Sequence, residues 1–156
     1  MNFLLSLLIS SNVAQAENIE HLRVASWETR VPNIILCNSS TVDLELVKKA
    51  IDAWSLRGER FGDVIEKQCI DQPSRGEIVI YTSDNLTNSQ HHGETIRSVF
   101  LRQDGTFGTD INYAKIYIRS EYSNTYSLIE HELGHAVGFK DTNDRSSVMS
   151  AMGFDH

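Results

Sequence analysis

The segment His131-Glu132-Leu133-Gly134-His135-Ala136-Val137-Gly138-Phe139-Lys140-Asp141 constrains this chain more than any other. His131 and His135 are four residues apart, so on an α-helix both rings project from one face. Ile129, Leu133, Ala136 and Val137 recur at helical spacing and form an apolar stripe. At about 100° per residue, the histidine face lies about 200° from the Ile129/Leu133 stripe. The helix must therefore bury one side and present two imidazoles on the other. Gly138 stands three residues after His135. A residue without Cβ lets the chain leave the helix in a left-handed turn, which can swing Asp141 back toward the histidines.

Two imidazoles on one helix face can bind one Zn²⁺ at about 2.0–2.1 Å. Asp141 adds a carboxylate oxygen as third ligand, and the fourth position stays open to exchange, as in catalytic zinc sites. Glu132 sits beside the ligands without being one. It can take a proton from the attacking water and later deliver it to a leaving amine. His-Glu-x-x-His should arise by chance in fewer than roughly one in a hundred chains of this length. The added Gly138 and Asp141 reduce that further. The competing reading is an ordinary amphipathic helix with surface His and Glu.

Ser147-Val148-Met149-Ser150 follows, with Met149 eight residues beyond Asp141. With it, the segment resembles the metzincin zinc endopeptidases, whose pattern is H-E-x-x-H-x-x-G-x-x-H or D followed by a methionine turn. The resemblance spans residues 31–152. It implies an α+β, metzincin-like zincin, in which a twisted mixed β-sheet packs on two helices and the second helix carries the zinc ligands. It implies His131, His135 and Asp141 as ligands of one catalytic Zn²⁺, Glu132 as general base and acid, Gly138 as helix-exit turn, and Met149 as the floor of the metal site. The spacing is similar to that of matrixin-like enzymes. The aspartate ligand is similar to that of snapalysin, the small secreted neutral proteases. Two neutral imidazoles and one carboxylate leave the zinc site at +1 and somewhat less Lewis-acidic. A peptide substrate would lie extended along an edge strand, Thr95–Arg102.

Some family features are missing. Residues 17–30 hold no pro-segment or cysteine switch, so the expectation is an enzyme made active or restrained by an external inhibitor. No tyrosine follows Met149, so an astacin- or serralysin-type tyrosine ligand is not expected. Phe154 is the candidate to wall the specificity pocket.

The remaining pattern is that of a small mixed domain. Val31–Cys37 reads as a strand. Ser40 or Thr41 can cap a helix running to about Arg57, with Leu44, Val47, Ala50, Ile51 and Trp54 on its apolar face and Gly58 as its stop. Phe61–Glu66, Glu77–Thr82, Thr95–Arg102 and Lys115–Arg119 read as strands, with an Asp104-Gly105 turn. Residues 17–30, 68–76 and 83–94 read as a loose lead-in and two loops. The active helix starts near Ser123 or Asn124. Tyr113, Tyr117, Tyr122 and Tyr126 read as packing residues, any one of which could instead steady an oxyanion.

Composition narrows the setting. The chain has 156 residues and a formal charge of −7 spread along its length, which predicts one domain and argues against a phosphate-tracking nucleic-acid binder. Phe3–Ile9 is too short to span a bilayer. Followed by Ala14-Gln15-Ala16, it reads as a signal peptide over residues 1–16, leaving one catalytic domain over 17–156. The expected location is secreted, periplasmic or extracellular. After signal cleavage, no membrane association is expected. The two cysteines, Cys37 and Cys69, then read as one disulfide, and as buried thiols only in a cytosolic chain. His91-His92-Gly93-Glu94 could bind a second metal, but without evident partners for a structural zinc it reads rather as a polar loop near the cleft. Nothing in the sequence supports a second Zn²⁺ or a structural Ca²⁺, and His156 reads as solvated. Asn38 and Asn85 open glycosylation patterns that matter only in a eukaryotic secretory route.

The expected function is a monomeric, secreted zinc endopeptidase acting on protein or peptide substrates. Two other readings remain. One is a cell-wall peptidoglycan peptidase or amidase using the same zinc site. The other is a non-catalytic zinc-binding module, which would have no need of Glu132.

Overall fold

The computed structural model describes residues 17–69 and 72–151. The expected signal peptide, Phe154 and His156 lie outside the described residues. Runs of β-branched residues form β1 (Asn33–Cys37), β2 (Val64–Lys67), β3 (Glu77–Thr82), β4 (Gly93–Leu101) and β5 (Phe107–Ile118). They build one five-stranded sheet in the order β2-β1-β3-β5-β4. β1 pairs in parallel with β2 and β3, and β3 pairs in parallel with β5. β4 is antiparallel to β5 and forms one edge. The fold is thus mixed α and β, with the mixed sheet and two helices expected.

The helices are α1 (Leu44–Leu56) and α2 (Tyr126–Val137). Side chains alternate along each strand, which sorts the sheet into two faces. Ile34, Leu36, Ile78, Ile80, Ala114, Ile116 and Ile118 join the core formed with Val47, Ala50 and Trp54 of α1 and Leu128, Ile129 and Leu133 of α2. Ile35, Cys37 and Val79 face the other way, where Cys69 and Tyr81 pack on them. Trp54 ties the two helices together. Its indole N–H donates to the Glu130 carbonyl at 2.7 Å, and its ring stacks on Phe139 at 5.1 Å.

Several boundaries differ from the sequence expectation. Asp43, not Ser40 or Thr41, caps α1, accepting from the Glu45 N–H at 2.8 Å. Ser40 and Thr41 instead bond the Thr82 hydroxyl at the end of β3. α2 begins at Tyr126 because Ser120–Tyr122 forms its own 3₁₀ turn. β2 is four residues long and lies at the sheet's other edge. β5 runs twelve residues rather than five, since its polar first half is held by pairing with β4 and not by an apolar pattern. β4 begins at Gly93, inside the expected loop.

The lead-in is also not loose. Ile19, Leu22 and Ala25 are buried. Arg23 forms an antiparallel bridge with Phe139, and Ser26 a parallel one with Asp110. The polar composition hid this because only every third or so residue turns inward.

Cys37 and Cys69 form a disulfide with Cα atoms 5.2 Å apart and a sequence separation of 32. It fastens the loop after β2 to β1 on the face away from the helices. By loop-closure entropy, replacing both cysteines with alanine should cost about 3–4 kcal/mol. Chemical denaturation of the double variant tests this, and an unchanged midpoint would show that the crosslink is dispensable.

Candidate metal centre

α2 presents His131 and His135 on its cleft side, with their rings edge-on at 4.7 Å. Each ring is oriented by the backbone. His131 Nδ1 lies 3.0 Å from the Val148 carbonyl, and His135 Nδ1 lies 2.9 Å from the Phe139 carbonyl. A carbonyl can only accept, so each Nδ1 carries the proton and donates. In the neutral ring, Nε2 is then a bare lone pair. Both Nε2 atoms point at one Asp141 oxygen, at 3.2 Å from His131 and 3.1 Å from His135.

Three acceptor atoms therefore converge, all within 4.8 Å of one another, in a group that could hold a metal ion. Such an arrangement needs a positive charge at its centre, either extra protons or a cation. The two imidazole–Asp141 separations, 3.2 and 3.1 Å, are short enough for one cation to be shared between the carboxylate and each ring. When Nε2 carries a proton, the hydrogen bonds that His131 and His135 then donate hold the Asp141 carboxyl well below the usual carboxylate range. Burial works against a charged His135, but the Asp141 and Glu132 carboxylates outweigh it and raise its pKa.

The turn at Gly138 makes this convergence possible. Its φ of 118° is left-handed, and its N–H closes the helix on the Gly134 and His135 carbonyls. A Cβ there would lie 1.8 Å from the Ala25 carbonyl oxygen. That crowding comes from the lead-in, whose Val24 and Ala25 N–H groups donate to the Gly138 carbonyl at 2.8 and 3.2 Å. Lys140 N–H returns a bond to the Leu22 carbonyl at 3.0 Å. The lead-in thus clasps Gly138, Phe139 and Lys140, just ahead of Asp141.

Met149 is fully buried beneath the helix. A Cβ on Gly134 would come within 2.4 Å of both the Met149 sulfur and the Trp54 ring. The spacing of Met149 was visible in the sequence, whereas the need for Gly134 above it was not. The methionine segment folds back on itself, with Thr142 bridging to Ser150 and its N–H donating to the Met149 carbonyl at 2.9 Å. This sets the Val148 carbonyl that orients His131.

Glu132 is 5% exposed and lies against the edge strand. Its Oε2 accepts from the Thr95 hydroxyl at 2.6 Å. Gly93 leaves the space, since a Cβ there would stand 2.7 Å from Glu132 Oε1. Burial raises the Glu132 pKa, against the lowering pull of His135, the Thr95 hydroxyl and His131. Neither Gly93 nor Thr95 carries a local sequence signal for this role; it arises from the pairing of β4 with β5.

A cleft of about 340 Å³ opens here, with His131, Glu132, His135 and Asp141 on one side and the Gly93–Arg97 stretch of β4 on the other. His91 and His92 also border it. His91 Nε2 lies 3.0 Å from the Asn88 amide nitrogen, and the His92 ring packs on Tyr122 at 4.0 Å. Tyr117 stacks on Tyr81 at 5.1 Å, on the sheet face away from the helices. Tyr126 packs beneath Lys49. No protein-family model and no curated protein matches this chain.

Gly138→Ala should lose more than about 2 kcal/mol, combining backbone strain with the Ala25 collision. Gly58→Ala is the matched control. It has a φ of 97° but nothing within 4 Å of a Cβ, so it should lose only about 1 kcal/mol. Thermal or chemical denaturation ranks the two, and equal losses would mean that the lead-in clasp does not constrain the turn.

Proposed function

We propose that this chain is a secreted zinc-dependent endopeptidase of metzincin type. The observation that carries the reading is the convergence of two Nε2 lone pairs and the Asp141 carboxylate beside a buried Glu132, in a cleft bordered by an antiparallel edge strand. A Zn²⁺ held by His131, His135 and Asp141 would supply Lewis-acid polarisation of the scissile carbonyl and acidify the attacking water.

The chain's own groups do the rest. The Val148 and Phe139 carbonyls fix the tautomer and aim of both ligands. Glu132 Oε2 is engaged by Thr95, which leaves Oε1 to take the proton from the attacking water and pass it to the leaving nitrogen. Burial that raises its pKa makes it a better proton acceptor than an exposed glutamate. Among the described residues no strand pairs with the outer side of β4, so an extended substrate can bond there as an added strand. Leu128 and Ala151 add an apolar border to the cleft.

The disulfide supports an oxidising compartment, in keeping with a leader over residues 1–16. No helix among the described residues is long and apolar enough to cross a membrane. The buried Glu132 favours catalysis over mere metal storage, because burying a carboxylate costs stability that a structural metal site has no reason to bear.

Casein or peptide cleavage should require metal and stop with a chelator; chelator-resistant cleavage would overturn the mechanism. Glu132→Gln should retain zinc and lose cleavage by about 10²–10⁴-fold. Asp141→Ala should bind zinc more weakly, and metal titration of both variants separates the roles.

Protonation gives a further expectation. In the metal-free protein, NMR titration should place the Glu132 carboxyl midpoint above its ordinary value of 4.5. The base acts when deprotonated, so cleavage by the loaded enzyme should fall as pH drops through its pKa. A midpoint at or below the ordinary value would remove the argument from burial.

A further inference from the structure

Arg97 has a role that the chemistry above does not use. Its Nη1 donates to the His135 carbonyl at 2.6 Å and to the Phe139 carbonyl at 3.2 Å. These bonds anchor the guanidinium at the C-terminal end of α2. The residue is half-buried and borders the cleft. Burial pulls its pKa down, yet an arginine stays charged at any working pH.

Among the described residues, no carboxylate lies within ion-pair distance of Arg97. Arg23, Arg57 and Lys67, by contrast, each have a carboxylate partner. A partly desolvated cation without a counterion is costly. The two helix carbonyls offset part of that cost and leave the net charge in place. They also occupy only Nη1. The Nε and Nη2 edge makes no hydrogen bond to the described residues and is not sealed from solvent. That edge is a planar two-donor fork, whose best partner is a carboxylate.

Its place on the strand gives this fork a relation to the reaction. Gly93, Thr95 and Arg97 share one face of β4 because side chains alternate. Gly93 and Thr95 touch Glu132, whereas Arg97 reaches the His135 end. Two residues of strand advance about 6.6–6.8 Å. A chain laid along β4 therefore brings a side chain near Arg97 about two positions from the one beside Thr95.

We infer that Arg97 forms a carboxylate-recognition subsite, so that the cleft prefers peptides carrying an Asp or Glu side chain within a few residues of the scissile bond. This rests on the endopeptidase reading for its substrate, though not for the binding itself. A free C-terminal carboxylate offers the same chemistry to the fork. An arginine that merely caps α2 would affect all peptides alike.

The test uses the zinc-loaded full chain with quenched peptides blocked at both ends. Aspartate, asparagine or lysine is placed in turn at each position around the scissile bond. A second set compares a neutral peptide with a free or an amidated C-terminus. At one position, aspartate should raise kcat/KM over asparagine by about tenfold, and the ratio should shrink with salt. Arg97→Gln should bring the ratio near one, and Arg97→Glu should turn the preference toward lysine. Arg97→Lys, which keeps the charge and loses the fork, should retain part of it. If the preference follows the free C-terminus instead, the carboxylate subsite stands and its source is the chain end.

Anisotropy of labelled peptides on Glu132→Gln, with and without Arg97→Gln, reads binding without cleavage. Acidic peptides that bind through Arg97 but are never cut by the wild-type chain would sink the endopeptidase reading and leave the subsite. Cleavage with no carboxylate preference, or with the same ratio in Arg97→Gln, would overturn the subsite and leave the endopeptidase reading. Should Arg97→Gln fail to fold, the wild-type ratio, its salt dependence and Arg97→Lys decide the matter.

Discussion

The left-handed turn at Gly138 is the constraint on which the rest of the site depends. Without a Cβ, the chain can reverse at the end of α2 while lying against the Ala25 carbonyl. Three consequences meet there. The Phe139 carbonyl turns back to receive the His135 Nδ1 proton. Asp141 arrives opposite both Nε2 atoms. The Gly138 and Lys140 backbone groups become available to the lead-in, which bonds them from the outside. A short exit turn that would otherwise fray is held from both sides. Arg23 adds to this by stacking on Phe139 while pairing with Glu20 and Glu59.

The electrostatics follow from that geometry. Both imidazoles give their Nδ1 protons to backbone carbonyls, so the faces they turn to Asp141 can only accept in the neutral state. The group thus has a built-in demand for positive charge, which protons and a metal ion would compete to meet. Glu132 sits outside the trio and is tuned by different means. Its carboxylate is buried against a glycine on the edge strand and keeps one strong hydrogen bond, to Thr95. Glu132 and the two histidines come from one stretch of α2, yet their environments differ because different sides of that helix face different walls.

The sheet explains why the cleft lies where it does. Both helices cover one face, and the disulfide occupies the other. β5 is inserted between β3 and β4, which leaves β4 as an antiparallel edge directly across from α2. Antiparallel pairing with a long β5 keeps that strand in regular register over Gly93, Thr95 and Arg97, while register shifts after Ser98 interrupt the ladder farther along, where β4 stays paired as far as Leu101.

Much of this is legible in the sequence. The i, i+4 histidines, the glycine exit, Asp141 and the methionine spacing are local in sequence, and backbone geometry turns each spacing into a direction. The cysteine pair and the alternating apolar runs marked the disulfide and the sheet in the same way. What the residues could not disclose were the relations between segments far apart in the chain. Gly93 and Thr95 sit in or beside what reads as a polar loop, and their role exists because strand pairing sets them against Glu132. The lead-in looks loose because its inward residues are few, and its backbone partners around residues 109–111 and 138–140 are far away in the chain. Val148 lies in the methionine segment, but nothing there signals that its carbonyl orients His131, and the half-buried Arg97 carries no motif at all. Sequence by itself determined which groups could meet a metal, because a helix repeats every 3.6 residues or so. Tertiary structure alone decided what surrounds them, because burial, tautomer and pKa depend on walls contributed by strands and loops that no local pattern specifies.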